Sequence, residues 1–258
     1  MVGGMRARGL LAGVMLAGLA VVAQAAAQTP EEIFSRGNAA YEEKRYADAA
    51  EAYQTVLKYG IRDSRVEYNL GNAWFRQGEL GRAILHYERA KRLDPTDADI
   101  RGNLQLARAA CFDRVEEPEL LPVVRWGREL QDRIGPDSQA WLFLGLVWII
   151  AILVAAKLSR KGGWSSGASW TVASLLVAVL LVAASWYATY ERLEGRAEAV
   201  VLDEAVEVLA GPGENNPTLF TVHEGLVLEV RAERRTWVQV SLPNGLNGWI
   251  RGRAVERI

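Results

Sequence analysis

The sequence predicts a multidomain chain: an all-α unit of helical repeats, two transmembrane helices, then an all-β small barrel. Three observations predict it. First, Gly37-Asn38-Ala39 returns as Gly71-Asn72-Ala73, and the same offset maps Ala49 onto Ala83, Tyr53 onto Tyr87 and Asp63 onto Asp97. A fixed period in this range marks stacked helix pairs, each unable to bury its apolar face alone. Second, residues 138–156 and 170–190 hold no charged side chain and are rich in Leu, Val, Ile, Ala and Trp. A helix needs about 20 such residues to cross about 30 Å of hydrocarbon. Third, from Ala197 onward short Val- and Leu-rich runs alternate with Gly-Pro-Gly, Glu-Gly and Asn-Gly breaks, the pattern of strands joined by tight turns.

The N-terminus comes first in the chain. Arg6 and Arg8 precede an apolar run over 10–22, and Ala23-Gln24-Ala25 and Ala25-Ala26-Ala27 both fit a small-x-small cleavage site. Residues 1–27 are thus expected to be a secretory signal peptide. The alternative is an uncleaved anchor helix.

The repeat unit is expected over 28–112, with repeats at 30–63 and 64–97 and a capping helix at 98–110. Thr29-Pro30-Glu31-Glu32 supplies a capping residue, an N1 proline and an acidic first turn, a strong helix start. Gly60 and Gly78 are placed as helix stops, and Asp94-Pro95 closes the second repeat. In the cap, Ile100, Leu104, Leu106 and Ala107 form an apolar stripe at helical spacing. These positions resemble the tetratricopeptide (TPR) repeat. The resemblance implies that Gly37 and Gly71 are the sites of helix crossing and that Ala49 and Ala83 are their small partners. It also makes Tyr53 and Tyr87 the packing plugs and Pro95 the terminal proline. It implies a concave protein-binding face made by Phe34, Asn38, Tyr41, Tyr68, Asn69, Asn72 and Phe75. A clamp for a partner's C-terminal carboxylate is not expected. Phe34 stands where the clamp lysine would be, and Asp99 and Asn103 stand where cations would be. An extended peptide or a helix in the groove is expected instead.

Residues 113–137 form a juxtamembrane linker, whose amphipathic part, 123–134, suits a membrane surface. The spans are placed at 138–157 and 169–190 around a short loop, 158–168. The connection carries Lys157, Arg160 and Lys161 and no acid. The positive-inside rule puts it in the cytoplasm and both outer portions in the periplasm or exterior, so the expected site is a bacterial inner membrane. A signal peptide makes the same assignment independently.

The last portion, 195–258, resembles a bacterial SH3 domain. Val206-Glu207-Val208, Gly211-Pro212-Gly213, Trp237-Val238-Gln239-Val240 and Gly248-Trp249-Ile250 carry that resemblance. It implies a five- or six-stranded small barrel that binds protein or cell-wall peptide, with Trp237 and Trp249 as binding residues or core plugs.

Composition excludes other classes. The formal net charge is −1, and the two outer portions are evenly mixed in sign, so no basic field suggests nucleic acid. One cysteine, Cys111, and two distant histidines, His86 and His223, cannot assemble a soft-ligand metal site or an internal disulfide. No cofactor fingerprint is present. Gly163-Trp164-Ser165-Ser166-Gly167 matches the nucleophile-elbow spacing but lies between two spans, without the strand before it and the helix after it that such an elbow needs. The chain therefore carries no expected catalytic residue.

The full order resembles the TPR-and-SH3 (BatE-like) branch of the Bacteroides aerotolerance (Bat) family, with Tyr87-Glu88-Arg89-Ala90, Leu93-Asp94-Pro95 and Asn103-Leu104 before Asp113 as its most characteristic stretches. Membership implies a non-enzymatic membrane adaptor in envelope stress tolerance. Its partners would be von Willebrand A-domain membrane proteins and a MoxR-type ATPase. A second class stays open: a tether that binds peptidoglycan through the barrel.

Overall fold

The structure is a computed structural model that describes residues 28–113, 121–159, 166–195 and 197–258. Residues 1–27, Arg160, Lys161 and Ser165, which carry the leader, loop and elbow readings, lie outside the described residues. Five helices open the chain: α1 Pro30–Glu42, α2 Tyr46–Lys58, α3 Ser64–Gln77, α4 Leu80–Leu93 and α5 Ala98–Ala110. Each start has a local cause. Thr29 caps α1 through a complete capping box with Glu32. Asp63 accepts from the Arg65 amide and Asp97 from the Asp99 and Ile100 amides, so this repeated pair caps α3 and α5 in turn. Gly78, at φ +85°, stops α3 in the left-handed region.

The repeated glycines and tyrosines lock each pair together. A Cβ on Gly37 would lie 2.6 Å from the Tyr53 ring, and one on Gly71 would lie 2.7 Å from the Tyr87 ring. Both rings are almost fully buried, and Ala49 and Ala83 are completely so. Helices that approach this closely need a missing side chain on one partner and a large plug on the other. Further pins join α4 to its neighbours. His86 Nδ1 lies 2.7 Å from Glu67 Oε2, and Arg108 of α5 pairs with Glu88.

Two long helices follow, α6 Pro122–Ser159 and α7 Ser166–Glu194. α6 is broken at Gly135 (φ 71°, ψ 160°), beside Pro136. The expected linker and first span are thus two helical pieces joined by a kink, because glycine alone adopts this φ freely and proline cannot continue the ladder behind it. The apolar stretches Arg133–Lys157 and Ser169–Arg192 contain 25 and 24 residues, about 36 Å at 1.5 Å per residue. Almost none of the residues in their most apolar windows is buried by protein, as suits helices solvated by lipid. Where the two helices meet, Ser185 Oγ accepts from Gln131 Nε2 and donates to Gln139 Oε1, both at 3.0 Å, beside the buried Thr189. Such side-chain bonds fix the register of paired helices in an apolar medium.

The chain ends in seven antiparallel strands: β1 Glu198–Val201, β2 Ala205–Leu209, β3 Thr218–His223, β4 Val227–Arg234, β5 Trp237–Ser241, β6 Asn247–Arg251 and β7 Val255–Arg257. Their order is β3-β2-β6-β5-β4-β1-β7. β7, three residues after a short 3₁₀ turn, exceeds the expected strand count because Val-Glu-Arg has too little alternation to be legible. Val208, Leu228, Val240 and Ile250 fill the core of this SH3-like barrel.

The barrel and the repeat unit are not separate beads. Val200 of β1 shares a buried cluster with Ala83, Ile84, Leu85 and Tyr87 of α4 and with Leu104, Ala107 and Cys111. Leu202, Val227 and Ile258 pack onto it. Around this contact Arg89 pairs with Glu256 (2.9 Å), Arg92 with Glu198 (3.1 Å), and Asp113 accepts from the His223 amide (2.7 Å) while facing its Nδ1 (3.0 Å). Two glycines allow the approach. Gly81 would place a Cβ 2.7 Å from the Val201 carbonyl oxygen. Gly225, at φ +84°, would drive one into Cys111 Sγ and within 2.9 Å of Ile84 Cδ1.

Gly225→Ala is therefore expected to destabilise the protein by about 2–4 kcal/mol, from a left-handed backbone plus overpacking. Gly245→Ala, at φ +87° with no neighbour within 4 Å, carries only the backbone cost of about 1 kcal/mol. Thermal unfolding of the full chain in detergent compares the two. Equal losses would show that the docking contact is loose.

Candidate functional site: the groove of the repeat unit

The groove is built on α1, α3 and α5, the first helix of each pair and the cap. Its polar floor repeats with the same period as the sequence. Asn38 Oδ1 accepts from Tyr53 Oη (2.8 Å) and from Asn69 Nδ2 (3.1 Å). One repeat later Asn72 Oδ1 accepts from Tyr87 Oη (2.7 Å) and from Asn103 Nδ2 (2.9 Å). Each asparagine thus ties its own repeat's plug to the next repeat's first helix. Burial raises the Tyr53 phenol to about 12 and raises that of Tyr87 as well. Both hydroxyls keep their protons at neutral pH and act as donors.

With its carbonyl committed, the Asn38 amide nitrogen makes no hydrogen bond among the described residues, whereas Asn72 also hydrogen-bonds the Tyr68 hydroxyl. Both asparagines line two adjoining hollows. One, of about 320 Å³, is lined by Asn38, Tyr41, Glu42, Tyr53, Asn69 and Asn72. The other, of about 260 Å³, is lined by Tyr41, Asn72, Phe75, Arg76, Tyr87, Asn103 and Leu106. Asparagine side chains at fixed spacing beside aromatic rings suit the backbone and side chains of an extended segment.

The structure brings Asn38, Tyr41, Asn69, Asn72 and Phe75 into these walls. Phe34 and Tyr68 stand at the groove's edge, half-buried, with ring centroids 5.7 Å from Tyr53 and 6.0 Å from Tyr87, and the Tyr68 hydroxyl accepts from Asn103 Nδ2 at 2.9 Å. Sequence reasoning missed Arg76, whose pKa is raised first by a hydrogen bond with the Tyr41 hydroxyl. It also missed Glu42, which the repeat offset maps onto Arg76 and which lines the neighbouring hollow. A charged residue at that same position in both repeats was the available clue. In the cap, Ile100, Leu104 and Ala107 are buried, but Leu106 is 56% exposed. It lines the groove and does not belong to the packed stripe.

On the barrel, Trp249 is buried, with the Arg234 guanidinium 5.6 Å from its ring centroid. Trp237 is half-exposed beneath Arg251 at 5.7 Å. Trp249 is a plug, whereas Trp237 offers a face to solvent. Lys157 ends α6, exposed. Cys111 is buried, its Sγ 3.5 Å from the Ala107 carbonyl oxygen, and burial pushes its thiol up to about 11. Among the described residues no group of His, Cys, Asp and Glu is placed to hold a metal ion.

Comparison with known proteins agrees with this architecture. Residues 34–98 match the family model described as tetratricopeptide repeat, and residues 203–256 match that described as bacterial SH3 domain. No curated protein matches the chain. The fold and the groove define a class, a helical-repeat and SH3-like protein with two apolar helices suited to a membrane. Such modules bind protein or cell-wall partners and are typically non-catalytic.

Two outcomes follow. Asn72→Ala strands the Tyr87 hydroxyl and leaves the Asn103 amide only the Tyr68 hydroxyl as acceptor, with an expected loss of about 2–3 kcal/mol, against about 1 kcal/mol for Tyr87→Phe; urea unfolding measures both. Cys111, at about 11, holds roughly one thiolate in a thousand at pH 8. A thiol-reactive dye at that pH is expected to label it only on unfolding. Because the folded state favours the protonated thiol, the stability it contributes is present at neutral pH and is lost as pH rises through the unfolded value toward 11.

Proposed function

We propose that this chain is a non-enzymatic, membrane-anchored adaptor that holds a protein partner in the groove of its repeat unit. The observation that supports this most is the division of faces. The barrel occupies α4, on the outer side of the repeats, and the face made by α1, α3 and α5 stays open, lined by Asn38, Tyr41, Asn72 and Phe75. The proposed ligand is an extended protein segment with an apolar side chain against Tyr41 and Phe75 and an acidic group near Arg76. Repeat unit and barrel are placed in the periplasm of a bacterial inner-membrane protein, with the loop near Lys157, Arg160 and Lys161 in the cytoplasm. The positive-inside rule supports that orientation. The mutual docking of the two outer portions supports an even number of spans between them. The resemblance to the Bat family extends the proposal to von Willebrand A-domain proteins and a MoxR-type ATPase as partners in envelope stress tolerance.

The test is crosslinking and co-purification of the membrane-embedded full chain. Tyr41→Ala/Arg76→Ala is expected to weaken partner retention about 10- to 100-fold, at about 1.4–2.8 kcal/mol for the pair. Trp237→Ala is expected to leave it unchanged. Retention on purified cell wall that disappears in Trp237→Ala, with no groove-dependent protein partner, would replace this reading with the peptidoglycan tether.

A further inference from the structure

The barrel carries a cationic end that the groove reading does not use. All six Lys/Arg residues of 197–258 are arginines, at 231, 234, 235, 251, 253 and 257. The strand register gathers four of them. Arg234 pairs with Trp237 across the β4–β5 turn, Trp237 pairs with Arg251 on β6, and the Gly252 amide donates to the Thr236 carbonyl at 2.8 Å. Arg234, Arg235, Arg251 and Arg253 therefore meet at one end of the barrel. Asp203 and Glu224 sit in the turns at the other end. Arg234 and Arg251 lie over Trp249 and Trp237, which pre-orients their guanidinium planes. Arg251 pairs with Glu214. Among the described residues no carboxylate pairs with Arg234, Arg235 or Arg253, and all three are exposed.

The register also gives this end a direction. β1 begins four residues after α7 ends at Glu194. Glu198 lies opposite Glu229, and the Val230 amide donates to the Ala197 carbonyl at 2.7 Å. β4 runs antiparallel to β1, so its residues after Val230 overrun the start of β1, on the side where the chain arrives from the apolar helix. Four residues at about 3.3 Å carry Arg234 about 13 Å past that point. Ala197 is itself at most about 18 Å of chain from Arg192, where the apolar stretch ends. A second element lies at the same end of the helix pair. Val123, Trp126 and Leu130, spaced on one helical face before the Gly135 kink, are 69%, 65% and 42% exposed.

We propose that this arginine-rich end is a seat for anionic phospholipid headgroups of the leaflet from which α7 emerges. Guanidinium groups bind phosphate oxygens in pairs. The seat would hold the barrel, and with it the docked repeat unit, down against the bilayer surface while Val123, Trp126 and Leu130 enter the interface beside it. The groove would then be held at a fixed height for a membrane-bound partner. The proposal rests on the membrane anchoring and stands whether or not the groove binds protein.

The test uses the full chain in nanodiscs with a nitroxide on Thr236→Cys, the buried Cys111 being poorly reactive. Relaxation by a paramagnetic lipid headgroup reports the seated state. Relaxation is expected to be strong in bilayers containing an anionic phospholipid, weak in purely zwitterionic ones, and reduced by salt. An arginine beside a charged surface is worth about 5-fold in partitioning, so Arg235→Ser/Arg253→Ser lowers the seated-to-lifted ratio about 25-fold. Arg235→Lys/Arg253→Lys, which keeps the charge, restores most of it. Neither pair has an ion-pair partner among the described residues to lose, and an unchanged melting curve confirms the fold. Equal relaxation in the two bilayers, indifference to the serine pair, or shielding of the label by purified cell-wall fragments in place of anionic lipid would overturn the proposal.

Discussion

The contact between β1 and α4 constrains everything else in the chain. α4 has apolar or small buried residues on nearly every side, from Gly81 through Ala83, Ile84, Leu85 and Tyr87 to Ala90. A helix buried all round needs three neighbours. Two come from the repeats themselves, α3 and α5, and the third is the barrel, more than 100 residues later. The cap that a two-repeat array requires is therefore composite, α5 at the end of the stack and the barrel against its side. It also follows that the intervening segment must leave and return on one side. The paired helices α6 and α7 meet that condition, and the Gln131–Ser185–Gln139 bonds fix how far each is inserted against the other.

The same economy appears inside the repeat unit. Each echoed residue has one physical task performed twice. Glycine admits the tyrosine ring, asparagine receives the tyrosine proton and the next helix's amide, and aspartate caps the helix that follows. Because the asparagine carbonyls are spent on packing, Asn38 turns only its amide nitrogen to the groove. Phe34 and Tyr68 show the reverse division, aromatic positions at the groove's edge that serve the core.

What was legible in the sequence was what repeats or alternates locally. The five helices of the repeat unit, the Thr29 cap, the stop at Gly78 and six of the seven strands all follow from period, capping chemistry and turn residues within a short window. What was not legible depends on residues far apart. Gly81, Gly225 and Cys111 form one contact across more than 140 positions, and nothing in any window of the chain announces it. α4 is no richer in apolar residues than the other helices of the repeat unit, so its composition did not announce the second surface. The kink at Gly135 was visible as Gly-Pro but hidden by the continuous helical pattern on both sides. Within the groove, aromatic and asparagine positions were legible by register. The roles of Arg76 and Leu106 were not, because exposure on a curved surface is set by the neighbouring helix.

The account stands on the repeat unit and the barrel moving as one body beside the membrane. The most direct measurement is a double electron–electron resonance distance between nitroxides at the exposed positions Gln105→Cys and Asn215→Cys, in the full chain in nanodiscs. A single narrow distance distribution, unchanged on detergent transfer, is the predicted result. A broad distribution, as two beads on a flexible tether would give, would contradict the shared core and with it the assignment of the open groove as the binding face.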